Sequence, residues 1–161
     1  VSGHDPHKAL AAALGRVASG LFVLTARQGD QTTGMLASWV QQCSFVPPLV
    51  SVAVHRDREV HDWLTAGALF TLNILDDTQT DMIVHFGKGF KAGEPAFTDL
   101  DVRPLDGGGP VLTDALAYLE CRVLARHATG DHHLLIAEVV RGEMLGEGHP
   151  MVHVRKSGTH Y

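Results

Sequence analysis

"ALAYLECRVLARHATGDHHLLIAEVVRGEML", residues 115–145, reads as two long strands with a turn between them. Along ALAYLECRVLAR, Leu119, Cys121, Val123 and Ala125 fall on one face and Tyr118, Glu120 and Arg122 on the other. That period of two is the signature of a half-buried strand. HATGD supplies the turn, and HLLIAEVVRGEML carries a second strand back. With no room for a crossover helix, the pair has to be antiparallel. Asp131, His132 and His133 stand where the turn becomes a strand, so successive side chains there should point to opposite faces.

Further strands surround this hairpin. LFVLTARQ (21–28) and TTGMLASWV (32–40) form a hairpin about a QGDQ turn, and LVSVAVH (49–55), LFTLNIL (69–75) and MVHVR follow. QQCSFVPP reads as a loop, because consecutive prolines cannot join a ladder. Asp5-Pro6 opens a helix whose Leu10, Ala13, Leu14 and Val17 make one apolar stripe. Asp57 caps a second helix carrying Val60, Trp63 and Leu64. Thr78 opens a third, with Met82, Ile83 and Phe86 inward and Gly87 closing it. About seven strands and three short helices, without a βαβ rhythm, predict a mainly β fold. An antiparallel sheet of this size closes on itself to remove its edges, giving a barrel with helical trimmings.

The 161 residues suit a single domain spanning 1–161. Apolar residues at 45% and charged ones at 19% mark a globular chain. A net charge of −5 without a basic face argues against nucleic acid. No apolar run approaches the ~18 residues of a membrane helix. Cys43 and Cys121 form no CxxC, and the N-terminus lacks a signal-peptide pattern, so a reducing cytoplasmic setting is expected. Without an initiator methionine, the chain reads as processed or cut from something longer.

Four groups of residues could carry chemistry. His132 and His133 cannot share one ion from opposite faces, Pro150 denies His149 and His153 a common helix, and HExxH is absent, so no metal is expected. GKGFKAG (87–93) has neither GxGxxG nor P-loop spacing, which leaves a surface loop. Its Lys88 and Lys91, among accessible amides, could still receive an isolated phosphate. In TTGMLASWVQQCSFVPP, Gly34, Ala37 and Ser38 leave a shallow place where something flat could lie against the backbone; the alternative is a half-buried strand running into a loop. Arg56 and Arg58 of HRDR add positive charge just past a strand, or form a solvated face.

"ALGRVASGLFVLTA", "GMLASWVQQCSFVPPLVSVAV", "LFTLNIL", "HFGKG", "ALAYLECRV" and "GDHHLLIAEV" fall in an order that resembles the flavin reductase-like family, the FMN-binding split barrels, over roughly residues 9–161. MLASWV followed by SF-x-PP is especially similar to flavin reductase domains at the C-terminal end of cyanobacterial-type flavodiiron proteins and to free-standing relatives. Trp39 stands where the family more often has a small polar residue.

The resemblance implies a homodimeric antiparallel split β-barrel with FMN near the subunit interface. Met35, Leu36, Ala37, Ser38 and Trp39 would lie along the isoalloxazine edge, and Ser44 and Phe45 would line the same pocket. Arg56 and Arg58 would meet the ribityl phosphate, Arg58 being preferred, with Asn73, Phe86, Gly87 and Lys88 closing the other side. His132 would stand by the exposed flavin face, where the nicotinamide of NADH or NADPH stacks; His133 would face the other way and Asp131 hold the turn. Trp39, Phe45 and Phe90, partly exposed at the rim, would mark the dimer interface. The implied activity is NAD(P)H:flavin oxidoreduction. The alternative is an electron-carrier module that keeps its FMN and passes electrons to a partner protein or domain.

Overall fold

The structure, a computed structural model, describes residues 5–160. In chain order the elements are α1 (Pro6–Gly15), β1 (Ser19–Gly20), β2 (Phe22–Gln28), β3 (Gln31–Ala37), β4 (Val40–Ser44), β5 (Leu49–His55) and a 3₁₀ helix (Glu59–Trp63). They continue with β6 (Leu69–Ile74), α2 (Thr80–Gly87), β7 (Val102–Arg103), β8 (Val111–Leu112), β9 (Ala117–Thr129), β10 (His132–Met144) and β11 (Val152–His153).

The β9–β10 hairpin is the spine, paired from Thr129↔His132 to Ala117↔Met144. It sits inside a seven-stranded antiparallel sheet ordered β3-β2-β6-β9-β10-β5-β4. The two edge strands, β3 and β4, are consecutive in the chain, and only Ser38 and Trp39 lie between them. A sheet whose opposite edges are tied by two residues has to curl until those edges meet. The result is a barrel that stays split at one seam.

Inward-facing Leu24, Met35, Val52, Val54, Phe70, Leu72, Cys121, Val123, Leu135 and Ala137 fill it, and Val60, Trp63 and Leu64 of the 3₁₀ segment join the same core. Burial from water also pushes the Cys121 thiol up to about 12. A second core lies where α2 packs on β3 and buries Met82 and Phe86 with Leu21, Val23 and Leu75. A Cβ on Gly34 would stand 2.8 Å from the Phe86 ring, so the flat group lying against that glycine is the protein's own phenylalanine.

Several expectations change here. QQCS is strand rather than loop: as an edge strand, β4 can leave Gln41, Gln42 and Cys43 in water while its backbone pairs with β5. The second helix is a single 3₁₀ stretch without a side-chain cap, because the Asp57 amide donates to His55 Nδ1. The third helix begins at Thr80, since Thr78 is held by the Asp76 carboxylate in a turn. On α1, Leu10 and Leu14 are exposed, as is Val17 just beyond it, so that stripe does not serve this core.

The polar outer face of β2, β6 and β9 is not solvated either. Thr25, Thr71, Asn73 and Glu120 are buried and bonded to the segment 108–112. Gly109 lies so close to the Thr25 backbone that no Cβ would fit. Glu120 is matched by Arg141, at 2.7 and 3.0 Å, as a buried carboxylate has to be. Asn73 spends both ends of its amide inside: Nδ2 donates to the Val23 carbonyl at 3.1 Å, and Oδ1 accepts from the Leu112 amide at 2.8 Å. It pins the 108–112 segment and does not close a cofactor pocket.

Candidate functional site

Strand register decides what gathers around the start of β10. His132 pairs with His55 across β10 and β5, and both lie on the outer side of the barrel wall. Trp39, from the seam between β3 and β4, reaches the same place; its ring lies 4.7 Å from that of His132. His55 meets His132 edge-on at 4.9 Å. These rings line an open cavity of about 670 Å³, together with Arg58, Asp131 and the C-terminal residues Arg155, Gly158, Thr159 and His160. A shallower groove of about 480 Å³, lined by Ser38, Ser51, Ala53 and Leu134, adjoins it across Trp39.

Asp131 does more than hold a turn. Its Oδ1 accepts a 2.6 Å hydrogen bond from Nδ1 of His132, while Oδ2 lies 3.7 Å from Nε2 of His55. The His132 bond holds the Asp131 carboxyl below its ordinary range. With Nδ1 as the donor, a neutral His132 ring carries its lone pair on Nε2. Nδ1 of His55 accepts from the Asp57 amide at 3.1 Å, which puts the proton of a neutral His55 on Nε2, facing Asp131. The carboxylate therefore fixes His132, which is only 6% exposed, while the Asp57 amide orients His55 beside it.

His133 turns to the inner side. Its Nδ1 lies 2.8 Å from Nε2 of His61, which also takes a 2.8 Å bond from Arg126, and Nδ1 of His61 faces Asp62 at 3.0 Å. Burial first, then the nearby His61 and Arg126, push the His133 pKa below its ordinary 6.5.

Of the residues singled out from sequence, His132, Trp39 and Arg58 line the cavity, and Ser38 lines the adjoining groove. Arg58 donates to the Gly87 carbonyl at 3.3 Å and crowds Gly89, which brings that glycine loop beside the cavity. Arg56 is exposed, with its guanidinium on the Gly130 carbonyl. Lys88 is exposed over the Phe90 ring. Met35 and Ala37 point into the barrel, while Leu36 and Phe86 belong to the second core. Ser44 and Phe45 sit beyond the other end of β5: at ~3.3 Å per residue, the six steps from Leu49 to His55 span about 20 Å. Within one chain they are not part of this cavity.

Asp131, His55 and Arg155 join the site although sequence reasoning gave them other work or none. For His55 the sequence shows only the end of a strand; the register that sets it opposite His132 is a product of the fold. For Arg155 there is no signal, because the 154–160 segment is placed by contacts with α1.

Solved structures similar to this one include flavin oxidoreductases. The chain matches the NADH:FAD oxidoreductase SgcE6 of Streptomyces globisporus with a TM-score of 0.81 at 28% identity, over 89% of this chain and 85% of that one. It matches the same protein in complex with NAD and FAD fragments with a TM-score of 0.78 at 27% identity, over the same 89% and 85%. Fold and likeness together define an oxidoreductase domain of the flavin-reductase type. The chain belongs to the flavin reductase like domain family, which it matches over residues 14–160. It is also 45% identical over 150 residues to putative diflavin flavoprotein A 3 of Synechocystis sp., covering 92% of this chain and 25% of that protein. The chain thus spans about a quarter of the length of the curated relatives it matches. Among the described residues no helix is long and apolar enough to cross a membrane.

Proposed function

We propose that the chain binds FMN in the cavity beside His132 and reduces it with NADH or NADPH. The observation that carries this reading is the histidine held by Asp131 against Trp39 in an open cavity that also contains Arg58 and Arg155. At about 670 Å³ the cavity falls within the ~300–1,000 Å³ of small-molecule sites. Its indole, imidazoles and guanidinium groups suit a planar ring joined to a phosphate. A bound flavin supplies the hydride-accepting chemistry; the chain's task is to hold the two rings face to face and keep water out. Arg58 meets the flavin phosphate, and His132, locked by Asp131 in one tautomer, presents its ring to the nicotinamide. FMN is preferred to FAD on the sequence's resemblance to the FMN-binding split barrels. Exposed Val17 and Val152, which line the groove beside Trp39, form an apolar margin that a two-fold copy of the chain would cover.

The experiment is spectroscopic. The purified protein, offered FMN, should be yellow, run above the 17.3 kDa of one chain in light scattering, and bleach when NADH or NADPH is added without oxygen. Recovery of FAD alone, no bound flavin, or a flavin that neither nucleotide bleaches would overturn the reading.

A second reading has its own observation. The chain corresponds to only a quarter of diflavin relatives, so its flavin could pass electrons to another domain rather than leave. Reduced FMN retained through gel filtration after bleaching favours that carrier role, and release favours the reductase.

A further inference from the structure

Arg155 is the cavity residue whose role is least explained by the fold. Its guanidinium carbon lies 5.0 Å from the centre of the Trp39 ring. Its backbone is tied down from both sides: the Arg155 amide donates to the Gly15 carbonyl at 3.1 Å, and the Gly158 amide to the Ala11 carbonyl at 2.7 Å. Neither Gly15 nor Gly158 has room for a Cβ, so α1 and the C-terminal segment lie in direct backbone contact. Among the described residues Arg155 has no carboxylate within ion-pair distance, unlike Arg141 and Arg103. A half-buried cation fixed this way without an acid is a poor stabilising device and a good anion receptor.

We propose that Arg155 recognises the phosphates of the nicotinamide dinucleotide, and that Trp39 holds its guanidinium in place for that contact. A guanidinium held over an indole by attraction to the ring spends none of its N–H donors there, and those donors can grip a phosphate in two places. The division of labour with Arg58 follows from position. Arg58 is committed to the Gly87–Gly89 loop, whereas Arg155 stands on the indole that touches His132, the residue assigned to the nicotinamide. Trp39, in the two-residue link between β3 and β4, is what makes this perch available.

The inference rests on reading the cavity as a flavin and nicotinamide site, and the test separates the two. FMN-loaded protein is titrated with NAD⁺ in a calorimeter, without turnover, and FMN affinity is measured separately by its fluorescence. Arg155→Met should weaken NAD⁺ about 10-fold and Arg155→Lys about 3-fold, because lysine keeps the charge but not the fork. FMN affinity should stay within about twofold, and with NADH as donor KM should rise while kcat holds. Trp39→Phe, which keeps a ring to stack on, should lose less NAD⁺ affinity than Trp39→Ala. Unchanged NAD⁺ binding in Arg155→Met, or a loss confined to FMN, overturns the proposal and leaves the flavin reading standing. A wild-type protein that takes up no FMN removes both.

Discussion

His132 faces a carboxylate, an indole and a second imidazole on the outer side of β10, while His133, one residue on, faces His61 and Arg126 on the inner side. The two share backbone, sequence context and chemistry, and differ only in what the strand's alternation sets opposite them. An anionic partner fixes the tautomer of His132 beside an open cavity. Burial and cationic neighbours hold His133 below its usual pKa of 6.5 in a packed network. Side-chain type alone therefore says little about which histidine reaches the cavity; the register of β10 against β5 says most of it.

The widest gap between the pair should appear in catalysis. His132→Ala should slow flavin reduction by NADH ~10-fold, about 1.4 kcal/mol of transition-state stabilisation, with FMN affinity within about twofold. His133→Ala should leave that rate within about twofold. Stopped-flow bleaching of bound flavin measures both, and equal losses would erase the distinction. A smaller effect should follow from Asp131→Asn, which keeps a hydrogen-bonding group but loses the charge: a slowing of about 3-fold. Because Asp131 acts through His132, the double variant with His132→Ala should be no slower than His132→Ala alone. Additive losses would mean that Asp131 has a contact of its own with the reactants.

The mildest effect concerns stability. A histidine whose folded pKa is depressed takes up its proton more readily in the unfolded chain. His133 therefore contributes nothing pH-dependent well above 6.5 and lowers stability as pH falls through 6.5 towards its folded value. Melting followed at pH 7.5 and pH 5.5 should show a smaller downward shift for His133→Gln than for the parent chain. Identical shifts would assign the acid sensitivity to other groups.

The strands were legible because alternation and turn chemistry are local. LVSVAVH is β5 over the full stretch, and the 115–145 hairpin holds with a tighter turn than expected. The opposite faces of His132 and His133 follow from the same rule. Position along the barrel axis is not local, so nothing in the sequence shows that Ser44 and Phe45 lie at the opposite end of β5 from His55. Nor does alternation reveal what covers an outer face: Asn73 and Glu120 sit at outward positions, yet the 108–112 segment buries them. Phe86 shows the converse, an apolar residue assigned to a ligand that the fold uses against Gly34.

The seam at Ser38 and Trp39 bears on how the molecule comes together. Drawing two sheet edges into contact costs loop-closure entropy that grows with the length of the tether, and here the tether is two residues. The β3–β4 junction itself is therefore local. The residue that completes it, Trp39, also brings the indole to His132, so barrel closure and site assembly become one step. Lengthening the tether by a few flexible residues would leave most of the sheet pairing intact, yet it would let the seam breathe and carry Trp39 away from the imidazole.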